Sequence, residues 1–239
     1  MIDLARSGPS EAAWREVCDL LPMATLPACR RLVVVSPHPD DETLGVGGII
    51  AAADIAGTPV LVISVTAGEA APCDVSTGQS LADVRLGELD DALSRLVVRH
   101  RCQRRLLHVP DGDVADHVDE VAHCIAVALH PGDVVLAPLP NDGHPDHDAV
   151  ALAALIAANH RDIALWYFPV WAWHWHDPPR SPIRRGVRVA LNSDARQRKQ
   201  AAMRCYTSQL LGRSSVVPTF MLARLDREFE VLVPQGDES

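Results

Sequence analysis

The chain has 239 residues, a length typical of a single α/β domain. With 31 acidic against 22 basic residues it carries a formal net charge of −9, which disfavours non-specific binding of nucleic acid or of an anionic membrane surface. The N-terminal residues do not resemble a signal peptide and the apolar runs are too short or interrupted to span a bilayer, so we expect a cytoplasmic protein.

Apolar, β-branched segments alternate with helical patterns along the chain. Near-continuous apolar strands separated by helices are typical of a parallel sheet covered on both faces. We therefore expect a Rossmann-like three-layer α/β sandwich with a mostly parallel sheet, in one domain over 1–239 with a core of about 31–211 and a C-terminal tail at 212–239. The predicted strands are 31–36, 59–66, 105–110, 133–139 and 163–170, and the predicted helices are 46–57, 80–99, 116–130 and 147–160.

The later part of the chain is less regular. An irregular loop is expected at 176–186, followed by a helix over 192–211 with Asn192 or Ser193 as its N-cap. The six cysteines are scattered along the chain without a C-x-x-C pair, so we expect free thiols.

The segment VVVSPHPDDETLGVGG, residues 33–48, runs from a predicted buried strand into a histidine and two adjacent aspartates. His38, Asp40 and Asp41 therefore follow the carboxyl end of that strand. Two neighbouring carboxylates repel each other, so we expect a cation beside them. The glycines that follow lack the G-x-G-x-x-G spacing, which argues against a dinucleotide site.

A second cluster, PNDGHPDHD at residues 140–148, follows another predicted strand. Because both clusters follow strands, the fold would bring them to the same edge of the sheet. Two imidazoles and a carboxylate with an open position are typical of a catalytic zinc site, which activates water for hydrolysis of an amide or ester. A further carboxylate supplies a general base, and a further histidine stabilises an oxyanion. The two clusters offer His38, Asp40, Asp41, His144, Asp146 and His147.

The pair of motifs HPDDE and HPDH, in this order, resembles the LmbE-like or PIG-L deacetylases. The resemblance implies a zinc-dependent enzyme that removes an N-acyl group, usually acetyl, from an amino sugar such as N-acetylglucosamine. The implied partner is a small N-acylated amino sugar or a glycoconjugate. The resemblance runs from about residue 31 to 211 and includes TAGE at 66–69, Arg85, Glu88, Lys199, Ala202, Tyr206, Ser208 and Gln209.

The resemblance assigns the metal and its water to four residues. It implies that His38, Asp41 and His147 bind Zn²⁺, with Fe²⁺ as an alternative ion. Asp40 would then be the general base that takes a proton from the metal-activated water.

The resemblance also assigns four supporting roles. It implies a cationic His144 that stabilises the oxyanion or passes a proton to the leaving amine, with Asp146 holding His144 in orientation. Arg85 and Asp111 fall where relatives contact the sugar or its aglycone.

One position departs from the branch that acts on the mycothiol precursor. That branch carries a tyrosine two residues before the first histidine of HPDH, where this chain has Asp142. The identity of the proton donor, the substrate and its acyl group are therefore left open.

The segment FPVWAWHWHDPP alternates tryptophan and histidine. If it is extended, Trp171, Trp173 and Trp175 lie on one side and His174 and His176 on the other. The tryptophans would then form a wall over a sugar or acyl chain, or they would pack in an edge strand or an oligomer interface with the histidines in solvent. The sequence leaves both interpretations open, and with them a homo-oligomer.

Two other functions fit part of the pattern. Two histidines and a carboxylate also form the facial triad of non-haem Fe(II) oxygenases, although the spacing here is His-x-x-Asp within alternating strands and helices. The other alternative is a non-catalytic metal-binding protein on the same fold, against which the complete set of site residues argues.

Overall fold

The computed structural model describes residues 8–72, 79–100, 102–210 and 217–236. The strands are β1 (Met23–Ala24), β2 (Arg31–Ser36), β3 (Val60–Ser64), β4 (Gln103–Leu106), β5 (Asp133–Pro138), β6 (Ala164–Phe168), β7 (Val187–Ala190) and β8 (Phe229–Pro234). The helices are α1 (Glu11–Leu20), α2 (Asp41–Ala56), α3 (Leu81–Leu96), α4 (Val118–Ala128), α5 (Pro145–Arg161), α6 (Ala172–Trp175), α7 (Ser193–Met203), α8 (Thr207–Leu210) and α9 (Thr219–Leu225).

The described strands form an eight-stranded sheet in the order β1-β7-β8-β6-β5-β2-β3-β4. Neighbouring strands are parallel except where β8 pairs with β6 and β7. Successive residues of β2, from Leu32 to Val35, are fully buried, so both faces of the sheet are covered. The structure therefore confirms the predicted α/β sandwich with a mostly parallel sheet.

The chain changes direction across the sheet between β2 and β5. From β2 it proceeds to β3 and β4 on one side, and β5 then returns to the other side of β2. Val34 lies opposite Leu136, so the two strands end level with each other. Such a switch point leaves a crevice beyond the carboxyl ends of the strands. Both sequence motifs, which directly follow β2 and β5, enter this crevice.

Helix α2 begins earlier than predicted and contains a break. The helix begins at Asp41, and Val46 then departs from helical geometry with φ −139° and ψ 21°. The predicted helix 46–57 matches the part after the break. A Cβ added to Gly45 would lie 2.3 Å from the Phe168 ring, so glycine permits the first turn to pack directly against the end of β6.

The other predicted strands and helices overlap observed ones and differ mainly at their ends. The predicted helix at 192–211 is divided into α7 and α8, and its last residue lies outside the described residues. Asn192 is the N-cap of α7, since its side chain accepts a hydrogen bond from the Ala195 N–H at 2.8 Å.

The C-terminal residues are not a tail. Within 217–236 the chain forms α9 and then β8, which lies between β6 and β7 in the sheet. The expected tail is therefore wrong for these residues. Glu230 interrupts the apolar run of β8, but its carboxylate is buried and paired with Lys199. Helix α1 was also not predicted, although Ser10 provides an N-cap for it.

The tryptophan-rich segment is helical at its centre, so the extended form on which the alternation of the two residue types would depend is not present there. Residues Ala172–Trp175 form α6, and two 3₁₀ helices follow within the predicted loop. Trp173 packs edge-on against Trp14 with ring centroids 4.9 Å apart, whereas Trp171 faces the crevice. His174 is buried, which does not fit the interpretation that places the histidines in solvent.

Two further findings concern the cysteines and the lengths of the helices. The cysteines at 18, 29, 102, 124 and 205 are free thiols, as predicted, and Cys73 lies outside the described residues. Within the described ranges, no helix has both the length and the apolar character that crossing a membrane requires.

Candidate active site

The loop after β2 places three predicted site residues at the first turn of α2. The Asp41 Oδ2 atom accepts a hydrogen bond from the His38 backbone N–H at 3.1 Å and lies 3.2 Å from His38 Nδ1. Asp40, immediately before the helix, has φ 137°, a conformation that non-glycine residues rarely adopt. Such local strain persists only where surrounding contacts determine it.

The loop after β5 delivers the second motif at the start of α5. Pro145 occupies the first turn, where its missing N–H costs nothing, and His144 is the N-cap. The cap is formed by His144 Nδ1, which accepts a hydrogen bond from the Asp146 N–H at 3.2 Å. His147 then projects from the first turn into the crevice, where its Nε2 lies 3.3 Å from Asp41 Oδ2.

The two loops therefore bring the predicted ligands together. Donor atoms of His38, Asp41 and His147 all lie within 4.8 Å of one another, and all three side chains are buried. Asp41 is central, since one of its oxygens faces a nitrogen of each ring. A second, overlapping group is formed by His38, His144 and Asp146 within the same distance.

A carboxylate contacts each of the two predicted histidine ligands at the ring nitrogen that does not face Asp41. Asp142 Oδ2 lies 2.8 Å from His147 Nδ1, and Asp146 Oδ2 lies 3.2 Å from His38 Nε2. Because a carboxylate only accepts hydrogen bonds, these contacts place a proton on the distal ring nitrogen and leave the other nitrogen for a ligand. This arrangement is typical of histidines that bind metals.

Two expected supporting roles differ in the structure. The Asp146 carboxylate contacts His38, together with the Gly112 N–H at 2.9 Å, and it is the backbone of Asp146 that contacts the His144 ring. Asp111 Oδ1 likewise lies 3.0 Å from His38 Nε2. The helix start turns the Asp146 side chain toward β2, so both carboxylates orient His38.

Burial and close charges determine the protonation of the cluster. Burial alone would lower the pKa of His38, but its carboxylate neighbours raise it well above the ordinary value. Burial likewise opposes a proton on His147, yet Asp41 and Asp142 raise its pKa to about 9. The pKa of Asp41 is well below its usual range because the neighbouring histidines outweigh burial. The cluster therefore favours positive charge beside Asp41.

The donor set fits a divalent metal ion. His147 Nε2 is buried and has no hydrogen-bond partner among the described residues, although Asp41 Oδ2 faces it at 3.3 Å. Two neutral imidazoles and a carboxylate are ligands that zinc prefers, and iron(II) accepts the same set. A bound cation would take the place of the proton on the nitrogen of each ring that faces Asp41. The nitrogens that face Asp142 and Asp146 would keep their protons.

The surroundings of Asp40 bring the pKa of its carboxyl close to neutral pH. Burial raises the pKa of its carboxyl to about 7, while Arg85 opposes that shift and Asp41 reinforces it. The Arg85 guanidinium lies 3.3 Å from Asp40 Oδ2 and also donates hydrogen bonds to the carbonyls of Gly68 and Pro39. Arg85, expected to contact substrate, therefore has three protein partners and is buried.

His144 does not carry the expected positive charge in this arrangement. Burial, and then the positive charges of His147 and His38, lower the pKa of His144 to about 4. The ring is therefore neutral at pH 7 in this arrangement. Because Nδ1 accepts the hydrogen bond of the helix cap, the proton lies on Nε2.

A cavity of about 500 Å³ opens above the cluster. Polar groups of its wall come from His38 and Asp41 of the cluster and from the predicted residues Asp40, Arg85, Asp111, His144 and Asp146. Its apolar lining residues come from the start of α2, the loop after β3, the end of β6 and the C-terminal segment: Leu44, Ala70, Ala71, Pro72, Val170, Trp171, Val217 and Met221.

Several residues that hold the first loop were not assigned roles from the sequence. The Glu42 carboxylate accepts hydrogen bonds from the Asp40 N–H at 3.2 Å and the Tyr206 hydroxyl at 2.6 Å. The Lys199 ammonium donates to the Leu44 carbonyl at 2.9 Å and to Glu230 at 2.6 Å. The available signal was that Lys199 and Tyr206 both belong to the residues that carry the resemblance to the family.

Comparison with known proteins agrees with this geometry. Residues 33–158, more than half of the chain, match the family described as PIG-L, GlcNAc-PI de-N-acetylase. The chain belongs to the PIG-L family. The matched segment contains both metal-site motifs and ends within α5.

Relatives of this PIG-L protein carry deacetylase names. It is 30% identical over 71% of its length to 1D-myo-inositol 2-acetamido-2-deoxy-alpha-D-glucopyranoside deacetylase 1 of Catenulispora acidiphila. It is 33% identical over 66% of its length to the enzyme of that name from Mycolicibacterium gilvum. The chain spans 62% of the length of each of these two relatives.

A solved structure extends the similarity to a larger share of the chain. The A40926 pseudoaglycone deacetylase Dbv21 superposes with a TM-score of 0.68 at 26% identity. The alignment covers 86% of this chain and 96% of that protein.

Proposed function

We propose that this protein is a cytoplasmic, zinc-dependent hydrolase that removes an N-acyl group, in the first instance acetyl, from an amino sugar or sugar conjugate. The observation that carries the proposal is the buried group His38, Asp41 and His147, with Asp40 beside it at the cavity. Deacetylase names among its relatives support the reaction class.

Zinc held by His38, Asp41 and His147 would supply a Lewis acid that polarises the amide carbonyl and lowers the pKa of a water molecule. Asp40 lies beside this group and is the base of the reaction. A pKa near the working pH lets Asp40 take a proton from the attacking water and return it later. Arg85 holds Asp40 and favours its ionised form.

His144 is the electrophilic partner in this proposal. It lines the cavity as a neutral ring whose Nε2 carries the proton. A neutral N–H donor stabilises the oxyanion as the carbonyl becomes tetrahedral. Collapse then breaks the C–N bond, and the products are a carboxylate and the free amine of the sugar.

Asp142 does not replace the tyrosine as a proton donor. It is fully buried behind His147 and accepts hydrogen bonds from the N–H groups of Val170, Trp171 and Ala172 at 2.8 to 3.1 Å. All of its acceptor capacity is therefore used within the protein. This leaves His144 and Asp40 as the groups that handle protons in the cavity.

The test is hydrolysis by purified protein after removal of metal with a chelator. We expect no release of acetate from N-acetylglucosamine glycosides by the metal-free protein, and recovery as Zn²⁺ is added to one ion per chain. Metal content is measured in parallel by mass spectrometry. Activity that persists without metal would contradict the proposal.

The same assay separates the two alternatives. A non-haem iron oxygenase would require Fe²⁺ and consume oxygen, so zinc-supported turnover under strict anaerobiosis excludes it. A non-catalytic metal-binding protein would bind one ion per chain and release no acetate from any member of a panel of N-acetylated sugars.

A further inference from the structure

Residues 170–176 of the tryptophan-rich segment pack along the turn at 141–143, which leads directly to His144. The first three backbone N–H groups of the segment donate to the Asp142 carboxylate, as described above. The side chains of Trp175 and His176 contact the other two residues of the turn. The segment therefore holds the turn at each of its three residues.

The turn needs such contacts because its backbone is unusual. Asn141 has φ 59° and Gly143 has φ 99°, so a residue with left-handed backbone lies on each side of Asp142. A Cβ added to Gly143 would lie 2.3 Å from Trp175 Cδ1, so the indole ring packs directly against the glycine. A non-glycine residue keeps a positive φ where surrounding contacts determine it. Asn141 therefore depends on a partner.

The partner of Asn141 is the side chain of His176. His176 Nε2 lies 2.6 Å from the Asn141 carbonyl oxygen, which only accepts hydrogen bonds, so the neutral ring carries its proton on Nε2. The Ser181 hydroxyl then donates to Nδ1 of this ring at 2.9 Å and itself accepts the Ile183 N–H at 3.2 Å. These hydrogen bonds fix the tautomer of His176 and the direction in which it donates.

The peptide group between Asn141 and Asp142 is held at both of its polar atoms. His176 donates to its carbonyl oxygen, and its N–H donates to Asp148 Oδ1 at 3.1 Å. Rotation of this peptide would change the path of the chain through Gly143 and would move the His144 ring at the start of α5. His176 itself is not among the described residues that line the cavity, so it acts on the site only through the turn.

We infer that His176 is a positioning residue for His144, because the peptide it fixes sets the direction in which the His144 Nε2–H meets the reacting carbonyl. This inference rests on the proposed deacylase function, which gives His144 its oxyanion role. A displacement of about 1 Å at a catalytic group can cost on the order of 10²-fold in rate. His176 is only half-buried, so water can replace part of its donation and a smaller loss is expected.

Two substitutions of similar size separate hydrogen bonding from packing. His176→Met removes the donor, whereas His176→Gln keeps an N–H donor at similar reach. For an N-acetylglucosamine glycoside we expect kcat to fall about tenfold in His176→Met and to stay within about twofold of the wild type in His176→Gln, with KM nearly unchanged in both. The matched control is His160→Met, at an exposed histidine near the far end of α5, which should retain wild-type kinetics.

NMR of the ring nitrogens provides a readout that does not depend on turnover. In the metal-free wild-type protein at mildly alkaline pH, long-range ¹H–¹⁵N spectra should show His176 as the Nε2–H tautomer. The ring signals of His144 should shift in His176→Met and stay near their wild-type positions in His176→Gln, whereas a change in packing alone would shift them in both. Should the variants fail to fold, the tautomer in the wild-type protein still tests the contact.

Wild-type kcat in His176→Met, or an equal loss in both variants, would overturn this inference and leave the proposed function standing. An Nδ1–H tautomer of His176 in the wild-type protein would overturn it as well. Absence of hydrolysis by the zinc-loaded wild-type protein would instead contradict the proposed function, and the His144 ring signals would still decide whether His176 positions that ring.

Discussion

The loops after β2 and β5 deliver similar residues to one cluster, but different contacts hold them. The first loop depends on distant parts of the chain, since Arg85, Tyr206 and Lys199 all bond to it or to its carboxylates. The second loop is held by residues of its own motif and by backbone N–H groups of other segments, such as those of Trp171 and Gly112, and less by distant side chains.

The difference follows from local backbone geometry. Asp40 sits at φ 137° and α2 breaks at Val46, so the first loop has conformations that the sequence alone would not stabilise. At the break, Glu230 accepts the N–H groups of Gly48 and Ile49 at 2.8 and 2.7 Å. The second loop enters an uninterrupted helix through a proline and an N-cap. Distant substitutions should therefore damage the first loop more than the second.

The largest effect on activity is expected when Asp40, the proposed base in the first loop, is replaced. Asp40→Asn keeps the size of the side chain and tolerates the unusual backbone, but removes the base. We expect kcat to fall by about 10² to 10⁴, with zinc still bound at one ion per chain. Steady-state kinetics and metal analysis check both parts.

The control for this variant is Asp113→Asn, an exposed residue close to the cavity. It should retain wild-type kinetics. Full activity of Asp40→Asn would remove Asp40 as the base, and loss of zinc would mean that it also holds the ion.

The next effect tests whether distant contacts hold the first loop. Lys199 is the only lysine of the chain and is 1% exposed. Lys199→Met leaves Glu230 buried without its cationic partner, so we expect a loss of about 3 to 5 kcal/mol in the free energy of unfolding, measured with urea. Zinc affinity should fall as well, because the Leu44 carbonyl loses the donor that fixes the first turn of α2.

A second substitution shows whether the charge pair is responsible. The double variant Lys199→Met, Glu230→Gln removes both charges and should recover part of the lost stability. Arg204→Met, at an exposed arginine just after α7, should change stability by no more than about 0.5 kcal/mol. A single variant as stable as the wild type would contradict the dependence of this loop on Lys199.

The contrast between the two loops also shows which parts of the site could be predicted from the sequence. The two motifs were expected to meet because each follows a strand, and strand ends meet at a switch point of a parallel sheet. The choice of His38, Asp41 and His147 as metal ligands among their residues came from the resemblance to the family. Asp40, Arg85 and Asp111 were also placed at the cavity, which the structure shows they line.

The supporting contacts could not be found in this way. Glu42 meets Tyr206 and Lys199 meets Glu230 only after the fold is complete, and Glu230 belongs to a strand in the segment expected to be a tail. The direction in which the Asp146 side chain points could not be predicted from the motif either. Its side chain is turned by the helix start toward His38, a detail set by rotamer and backbone.

The smallest effect concerns Asp142, the carboxylate of the second loop that supports His147. In Asp142→Asn, one oxygen becomes an NH₂ group that faces backbone donors or the His147 Nδ1–H, so at least one of these hydrogen bonds is lost. We expect zinc affinity to fall about 10- to 100-fold, as measured by competition with a chelator. Asp162→Asn, an exposed residue at the other end of α5, is the control and should bind zinc like the wild type. Unchanged zinc affinity in a folded Asp142→Asn protein would mean that the helix start alone orients His147, without the Asp142 carboxylate.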